Sequence, residues 1–376
     1  MKILLVMDQF DEGNNGTTIS ARRFAEGLEK AGNEVLVIGA GSSSEKKYGV
    51  DSYPMGPIVS HFVKTQGMVF AKPDKDIIRK AVSSVDVIHF YTPFILSMAT
   101  LKIAEEMGVP HTAAFHVQPE NITYSIGLGT KKKVNDFIYE FYRDKFYNRF
   151  SHIHCPSNFI ANQLKSHGYT ANLHVISNGV DPDFKYVKNE KTEELKDKFI
   201  ITMIGRYSNE KRQDVLIDAI SKSKYADKIQ LVLAGKGPKE KKYIKLGEHL
   251  PIPPIMNFYS KEELLKLLSY TDLYVHSADA EIEAISCIEA FACGIVPIIS
   301  NSPNSATPQF ALTENSLFAP GDSNSLAEKI DFWIEHPEER KAMEINYAKS
   351  AEQYRLDNSI KQIERMFEDA ISDSKK

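Results

Sequence analysis

Two glutamates set the first chemical reading of this chain. Glu281 and Glu289 stand eight residues apart in ADAEIEAISCIEAFACG (278–294). The first ends a loop after an apolar strand-like run. The second falls inside a short helix that Gly294 can close at its C′ position. The backbone N–H groups opening that helix, from Ala284 through Ile285 to Cys287, suit a phosphate. Carboxylates on either side could accept hydrogen bonds from sugar hydroxyls, so the segment reads as a nucleotide-sugar site. Two surface glutamates at this spacing would look the same. Gly13-Asn-Asn-Gly16 follows the first apolar run and could let backbone approach a phosphate or an acceptor, or could simply be a turn. His116 ends the run HTAAFH, and His89 stands near the strand end in VIHFYTP; either could face a ligand or belong to the fold. His152 and His154 alternate beside Cys155 without a second ligand pair, so they read as fold residues and not as zinc ligands. Asp181 and Asp183 form a literal Asp-x-Asp, but outside a nucleotide-binding loop, and no metal is assigned to them.

Positioning these groups falls to an alternation of short β-rich runs and amphipathic stretches. KILLVM (2–7), EVLVIG (34–39), DVIHFYTP (86–93), HTAAFH (111–116) and HIHCPS (152–157) read as strands, each followed by a helical pattern. The pattern restarts with FIITMIGR (199–206), IQLVLAG (229–235), DLYVHSA (272–278) and IVPIIS (295–300). Such alternation predicts parallel sheets covered by helices on both faces. The charged stretch KYVKNEKTEELKDK (185–198) reads as a linker between two similar α/β domains, and Tyr354, Ile360, Ile363 and Met366 predict that the last helix packs onto a core. In open α/β sheets ligands bind at the carboxyl ends of the strands, which is where the candidate residues fall.

Composition narrows the class. With 376 residues, 42% hydrophobic and 26% charged, the chain can bury a large core without disulfide or metal staples. A formal charge of -4 argues against a nucleic-acid partner. Three cysteines, none in a CxxC pair, suit a reducing cytoplasm. The five apolar residues before Asp8 are too short for a signal peptide, and no stretch is long enough to span a bilayer. No G-x-G-x-x-G follows the first strand, which disfavours a nicotinamide dehydrogenase.

The ordered motifs resemble those of family 4 retaining glycosyltransferases of the GT-B fold. The resemblance rests on the Glu281/Glu289 segment with its Ala-x-Ala-x-Gly-like ending, on GRYSNEKRQDVLIDAI (205–220), CPSNFIANQL (155–164), ISNGVDPDF (176–184), LAGKGP (233–238) and DLYVHSADAE (272–281). It covers nearly the whole chain. It implies two Rossmann-like domains whose parallel sheets face a central cleft: residues 1–182 for the acceptor and 183–355 for the nucleotide sugar, with the helix about 356–376 crossing back to the first. Arg206 and Lys211 would hold the donor diphosphate and stabilise charge on the leaving group. Glu289 would bind the ribose, Glu281 the transferred sugar, and His116 would face that sugar. Gly16, Ala284 and Ile285 would complete the donor site. No metal or other cofactor is implied. Glu283 and Ala284 replace an aromatic-glycine pair usual in the family, with Glu283 a candidate for a solvent-facing side chain.

The acceptor side is read from KKKVNDFIYEFYRDKFYNRF (131–150), which carries net +3 and seven aromatic residues. Val134, Phe137, Ile138 and Phe141 give a helical core stripe, with Tyr139, Phe146, Tyr147 and Phe150 extending beyond it. Lys131, Lys132, Lys133, Phe137, Phe141, Arg143, Phe146 and Arg149 are the candidates for an anionic membrane surface or lipid acceptor. A core helix with a solvated face is the alternative. Residues 61–80, with Phe62, Val63, Met68 and Phe70, form a second basic-apolar stretch. FHVQPENITYSIGLG (115–129) resembles the bacterial diacylglycerol α-glucosyltransferases within the family. That implies UDP-glucose as the donor, a membrane diacylglycerol as the acceptor and a place on the inner face of the cell membrane. The alternatives are a family 4 enzyme acting on a lipid-linked oligosaccharide, an epimerase on the same fold, and a non-catalytic nucleotide-sugar-binding subunit.

Overall fold

The computed structural model describes residues 1–11, 16–54, 69–125, 127–129 and 131–375. Gly13, Phe62, Val63 and Met68, named above, lie outside the described residues. The chain forms two compact units. The first comprises Met1–Pro119, Lys131–Gly179 and Leu356–Lys376, and the second Glu120–Thr130 and Val180–Arg355. The change of unit falls at Gly179, slightly before the position expected from the sequence. It is fixed there because the Val180 N–H bonds the Tyr354 carbonyl at 2.7 Å inside the second unit. Gly179 has φ +78°, and a Cβ on it would meet the Leu356 backbone at 2.8 Å, so the crossing needs glycine.

The first unit is built on a seven-stranded parallel sheet. Its strands are β1 (Lys2–Val6), β2 (Glu34–Ala40), β3 (Lys47–Val50), β4 (Val87–Phe90), β5 (His111–Ala114), β6 (His152–Cys155) and β7 (Asn172–Val175). They run in the order β3-β2-β1-β4-β5-β6-β7. The apolar runs that predicted β1, β2, β4, β5 and β6 are buried on both faces, as in KILLV, whereas β3 and the less buried β7 were not foreseen. Helices α1 (Gly16–Lys30), α2 (Lys75–Val82), α3 (Ile95–Glu106), α4 (Pro119–Ser125), α5 (Lys132–Lys145) and α6 (Asn158–Ser166) lie between the strands in sequence, although α4 from Glu120 onward belongs to the second unit. Asp74 and Ser157 cap α2 and α6 through their side chains.

The second unit has a six-stranded parallel sheet, with order β10-β9-β8-β11-β13-β15, and a short pair β12-β14. Its strands are β8 (Phe199–Ile204), β9 (Ile229–Ala234), β10 (Ile255–Asn257), β11 (Leu273–His276), β12 (Ala280–Glu281), β13 (Pro297–Ser300), β14 (Asn304–Ser305) and β15 (Leu317–Phe318). The helices are α7 (Gln213–Lys222), α8 (Glu240–Gly247), α9 (Lys261–Tyr270), α10 (Ile285–Ala292), α11 (Ser323–Glu335) and α12 (Pro337–Ser350). A Ser260/Glu263 capping box opens α9. The polar stretch read as a linker has no regular structure but is pinned to this unit. Lys191 bonds the Asp272 carboxylate, and Asn189 bonds Ser269 at 2.9 Å. Both sheets reverse strand order once, between β1 and β4 and between β8 and β11, and those switch points mark where each unit can hold a ligand.

The last helix, α13 (Leu356–Asp373), returns to the first unit. Ile360, Ile363, Met366 and Phe367 repeat at helical spacing and join the core of Ile3, Leu5, Phe24 and Leu28. Phe367 is fully buried, so Phe367→Ala is expected to cost roughly 3–5 kcal/mol in the first unit. The sole tryptophan, Trp333, is buried in the second unit. In denaturant titrations of the variant, part of the far-UV circular dichroism transition should move to lower denaturant while Trp333 fluorescence keeps its midpoint.

Candidate active site

In the second unit the switch point is lined by two loops. The first follows β8. Gly205 leads to Arg206, and a tight turn carries the chain through Lys211 to Arg212, which opens α7 with φ 55°. This loop is braced from several sides. Gln213 donates to the Arg206 carbonyl at 2.8 Å, Tyr243 to the Ser208 carbonyl at 3.0 Å, and Tyr207 to the Leu233 carbonyl at 2.7 Å. Gly235 of the LAGKGP motif lies against it so closely that a Cβ would sit 2.0 Å from the Gly205 oxygen. That explains the glycine by close backbone approach.

The second loop follows β11. Ser277 donates to the carbonyls of Lys211 (3.0 Å) and Arg212 (2.9 Å), tying the two loops together. Glu281 lies in β12, and its carbonyl accepts the Ala306 N–H at 2.9 Å. Its side chain pairs with Lys211 through Oε1, and the same oxygen lies 3.0 Å from His276 Nε2. Burial raises the proton affinity of the Glu281 carboxyl, but the Lys211 charge and the His276 bond outweigh it. The group is held at about 2 and stays ionised. Arg206 is half-buried, and burial lowers its pKa from the ordinary arginine value.

Ala284, with φ 66°, opens α10 without a side-chain cap. Left-handed backbone on a residue with a Cβ costs about 1–2 kcal/mol. Arg212 and Ala284, the two non-glycine residues with positive φ among those described, both open helices here. Strain of this kind gathers at functional sites. Ile285 begins α10 half-buried, and Glu289 is buried within it. Glu283 does not face solvent: it is 1% exposed, with Tyr354 as an electrostatic neighbour.

A further contact in this unit escapes sequence reading. Tyr124, on α4, bonds the Asp279 carboxylate, which pairs with Arg212 at 3.0 Å. Burial and Asp279 push the Tyr124 phenol up to about 12. The Asp-x-Asp carboxylates both bond Lys261 at 2.6 Å. Among the described residues no group of three histidine, cysteine, aspartate or glutamate side chains is disposed to hold a metal ion.

In the first unit, Gly16 opens α1 and is exposed. His116 follows β5 and is buried, its ring stacked on Tyr91 at 5.5 Å and edge-on to His154 at 5.3 Å. Neither ring nitrogen has a hydrogen-bond partner among the described residues. Burial, with His154 nearby, lowers its pKa well below the ordinary histidine value, so the imidazole is neutral. His89 and His154 are buried beside it and bond Thr112 and the Ile176 carbonyl. Asp8, missed in the sequence, follows β1 and is fully buried, with Oδ1 accepting the Ala71 N–H at 2.9 Å. Burial, partly offset by this bond, pushes its carboxyl up to about 6. An aspartate directly after an apolar strand was the available signal.

Helix α5 corrects the expected pattern. Phe137 and Phe141 are not core residues: they are 65% and 45% exposed, stacked with ring centroids 6.4 Å apart. Tyr139, Phe146, Tyr147 and Phe150 are buried instead. Tyr139 stacks on Phe115, and Phe146 packs on Phe90 and Phe150, so the larger aromatic set turns the helix over. Phe146 is thereby unavailable to a membrane. Arg143 is spent on Asp144 and the His167 carbonyl, and Arg149 on Glu105. Lys131, Lys132 and Lys133 are exposed near Phe137 in sequence. Phe70, from the second basic stretch, is half-buried against Phe94. Among the described residues no helix is long and apolar enough to cross a membrane.

Two family models together span most of the chain: Glycosyltransferase Family 4 over residues 14–184 and Glycosyl transferases group 1 over residues 185–350. An alpha-monoglucosyldiacylglycerol synthase of Streptococcus pneumoniae is 23% identical over 81% of this chain and 72% of its own length. A GDP-mannose-dependent alpha-mannosyltransferase of Corynebacterium glutamicum is 25% identical over 88% and 78%. Among solved structures, Anabaena HepE in complex with UDP and glucose is 17% identical, with a TM-score of 0.75 over 98% of this chain and 100% of that one. The fold is GT-B.

Asp8 gives a pH test. Its folded-state pKa of about 6 lies above the unfolded value of roughly 4. The folded state therefore binds the extra proton, and stability falls as pH rises from about 4 to 6. Asp8→Asn mimics the neutral acid. Chemical denaturation should find it stabler than the wild type by roughly 3 kcal/mol at pH 8 and nearly equal at pH 4.

Proposed function

Because the chain belongs to glycosyltransferase family 4, we propose that it transfers a hexose, with retention, from a UDP-sugar to a membrane lipid. Glucose is the proposed sugar and diacylglycerol the proposed acceptor. The reading is carried by one observation: exposed Phe137 and Phe141 stack on a helix whose start is lined by Lys131, Lys132 and Lys133. Apolar rings beside lysines fit the interface of an anionic bilayer. The diacylglycerol glycolipid synthase among the relatives supports the same acceptor, and the UDP and glucose bound to HepE support the donor.

In this reading Arg206 and Lys211 bind the diphosphate, helped by the uncapped N–H groups at Ala284 and Ile285. Glu289 takes the ribose hydroxyls and Glu281 a hydroxyl of the sugar. His116, neutral and with ring nitrogens that have no partner among the described residues, serves a substrate hydroxyl. The acceptor oxygen attacks the anomeric carbon on the face from which the diphosphate leaves. The bond from that carbon to the phosphate oxygen breaks, and the departing oxygen takes the acceptor proton. The products are an α-glycoside and UDP. The protein supplies positioning and preorganised charge, and no metal or other cofactor takes part. The enzyme works as a peripheral protein on the inner membrane face.

A second reading has GDP-mannose as donor, favoured by the mannosyltransferase relatives at similar identity. A transfer assay separates them. The protein is given UDP-glucose or GDP-mannose with vesicles of anionic phospholipid containing diacylglycerol and cholesterol, and the lipids are read by mass spectrometry. The expected product is diacylglycerol one hexose heavier, from UDP-glucose alone. A mannosylated lipid would overturn the donor, and a hexosylated sterol would overturn diacylglycerol. Release of UDP without a lipid product would favour a lipid-linked oligosaccharide acceptor. Lys211→Ala should lower transfer roughly 10²–10³-fold. It should still fold, with a lowered melting midpoint because Glu281 loses its cation. Phe137→Ser with Phe141→Ser should weaken sedimentation with anionic vesicles while leaving UDP-glucose binding unchanged.

A further inference from the structure

His276 ends β11 and is fully buried. Its Nε2 faces Glu281 Oε1, and its Nδ1 lies 3.3 Å from the Tyr274 hydroxyl. That hydroxyl lies 3.2 Å from Ser286 Oγ, which lies 3.4 Å from the Ile204 carbonyl at the end of β8. The whole chain of contacts sits inside the second unit. Lys211 and His276 meet the same carboxylate oxygen, so Oε2 takes neither bond.

The protons can be assigned. A carboxylate only accepts, so Nε2 carries a hydrogen toward Glu281, and Nδ1 is placed to exchange a hydrogen bond with the Tyr274 hydroxyl. A buried carboxylate that loses its cation costs several kcal/mol. If Lys211 is to turn to a diphosphate, another group must take over Glu281. His276 is already on the oxygen concerned.

We propose that His276 is a positioning residue that holds Glu281 in place when Lys211 turns to the donor diphosphate, and that the His276–Glu281 pair takes up one proton as it does so. This rests on the glycosyltransferase reading above. The hydrogen-bond chain accommodates the proton. Both imidazole nitrogens then donate, Nδ1 to the Tyr274 oxygen. The Tyr274 hydroxyl turns to Ser286, and Ser286 donates to the Ile204 carbonyl. Every group keeps a partner in both states. The groups around the ring are Tyr274 on its own strand, Glu281 on β12 with Lys211 beyond it, and Ser286 and Cys287 on α10. Burial pushes the Cys287 thiol well above its ordinary pKa, so it stays neutral.

The test is calorimetric titration with UDP-glucose and with GDP-mannose, without acceptor, in buffers of different ionisation enthalpy. Neither nucleotide sugar titrates near pH 7, so any proton taken up comes to the protein. The wild type should take up a proton at pH 7, with uptake declining as pH rises. His276→Gln keeps a donor to Glu281 and should bind nearly as well, with the uptake at pH 7 lost. His276→Leu leaves Lys211 held by Glu281 and should bind roughly 10–100-fold more weakly. Wild-type binding without proton uptake, or unchanged binding by His276→Leu, would overturn the proposal alone. Binding of neither nucleotide sugar by the wild type would overturn the donor reading, and the proposal with it.

Discussion

An ionised carboxylate is stable inside a protein only while something of opposite charge or a strong donor stays beside it. Glu281 lives under that constraint. Its backbone is fixed by the two-residue ladder of β12 and β14, and its charge by Lys211, seventy positions away in sequence and brought alongside by the parallel pairing of β8 with β11. Ser277 then ties the carbonyls of Lys211 and Arg212 to the end of β11, so cation and anion cannot drift apart without disturbing both loops. The strained openings of α7 and α10 follow from the same geometry. Each helix must begin abruptly after a loop whose other end is already held.

Much of this could be read from residue types. Apolar runs such as KILLV and IQLVLA are buried on both faces because parallel strands flanked by helices must be, and they appear where the alternation placed them. Glu281 and Lys211 were visible as motif residues, but their direct pairing was not, since nothing in the chain between them encodes the distance. His276 looked like the end of an ordinary strand, DLYVH. Its meaning arises only when β12 folds Glu281 back over it.

Helix α5 shows why the remainder was not legible. Its sequence carries more aromatic residues than one face can bury, so periodicity alone permits two rotations. Val134, Phe137, Ile138 and Phe141 form one acceptable stripe; Asn135, Tyr139 and Tyr142 form another. The second wins because Tyr139 finds Phe115 on one side and His167 on the other, while its carbonyl accepts the Tyr169 hydroxyl at 2.8 Å. Those partners follow β5 and α6, well away from the helix in sequence. Glu283 is a similar case. A carboxylate in an exposed-looking loop reads as solvated, yet the turn through Ala284 carries it inward.

A crystal structure of the protein with UDP-glucose bound would show directly whether Lys211 leaves Glu281 for the diphosphate. Lys211 Nζ is expected on a diphosphate oxygen, Glu281 Oε1 still on His276, and Glu281 Oε2 on a sugar hydroxyl. A structure in which Lys211 stays paired with Glu281 while the diphosphate binds elsewhere would contradict this arrangement.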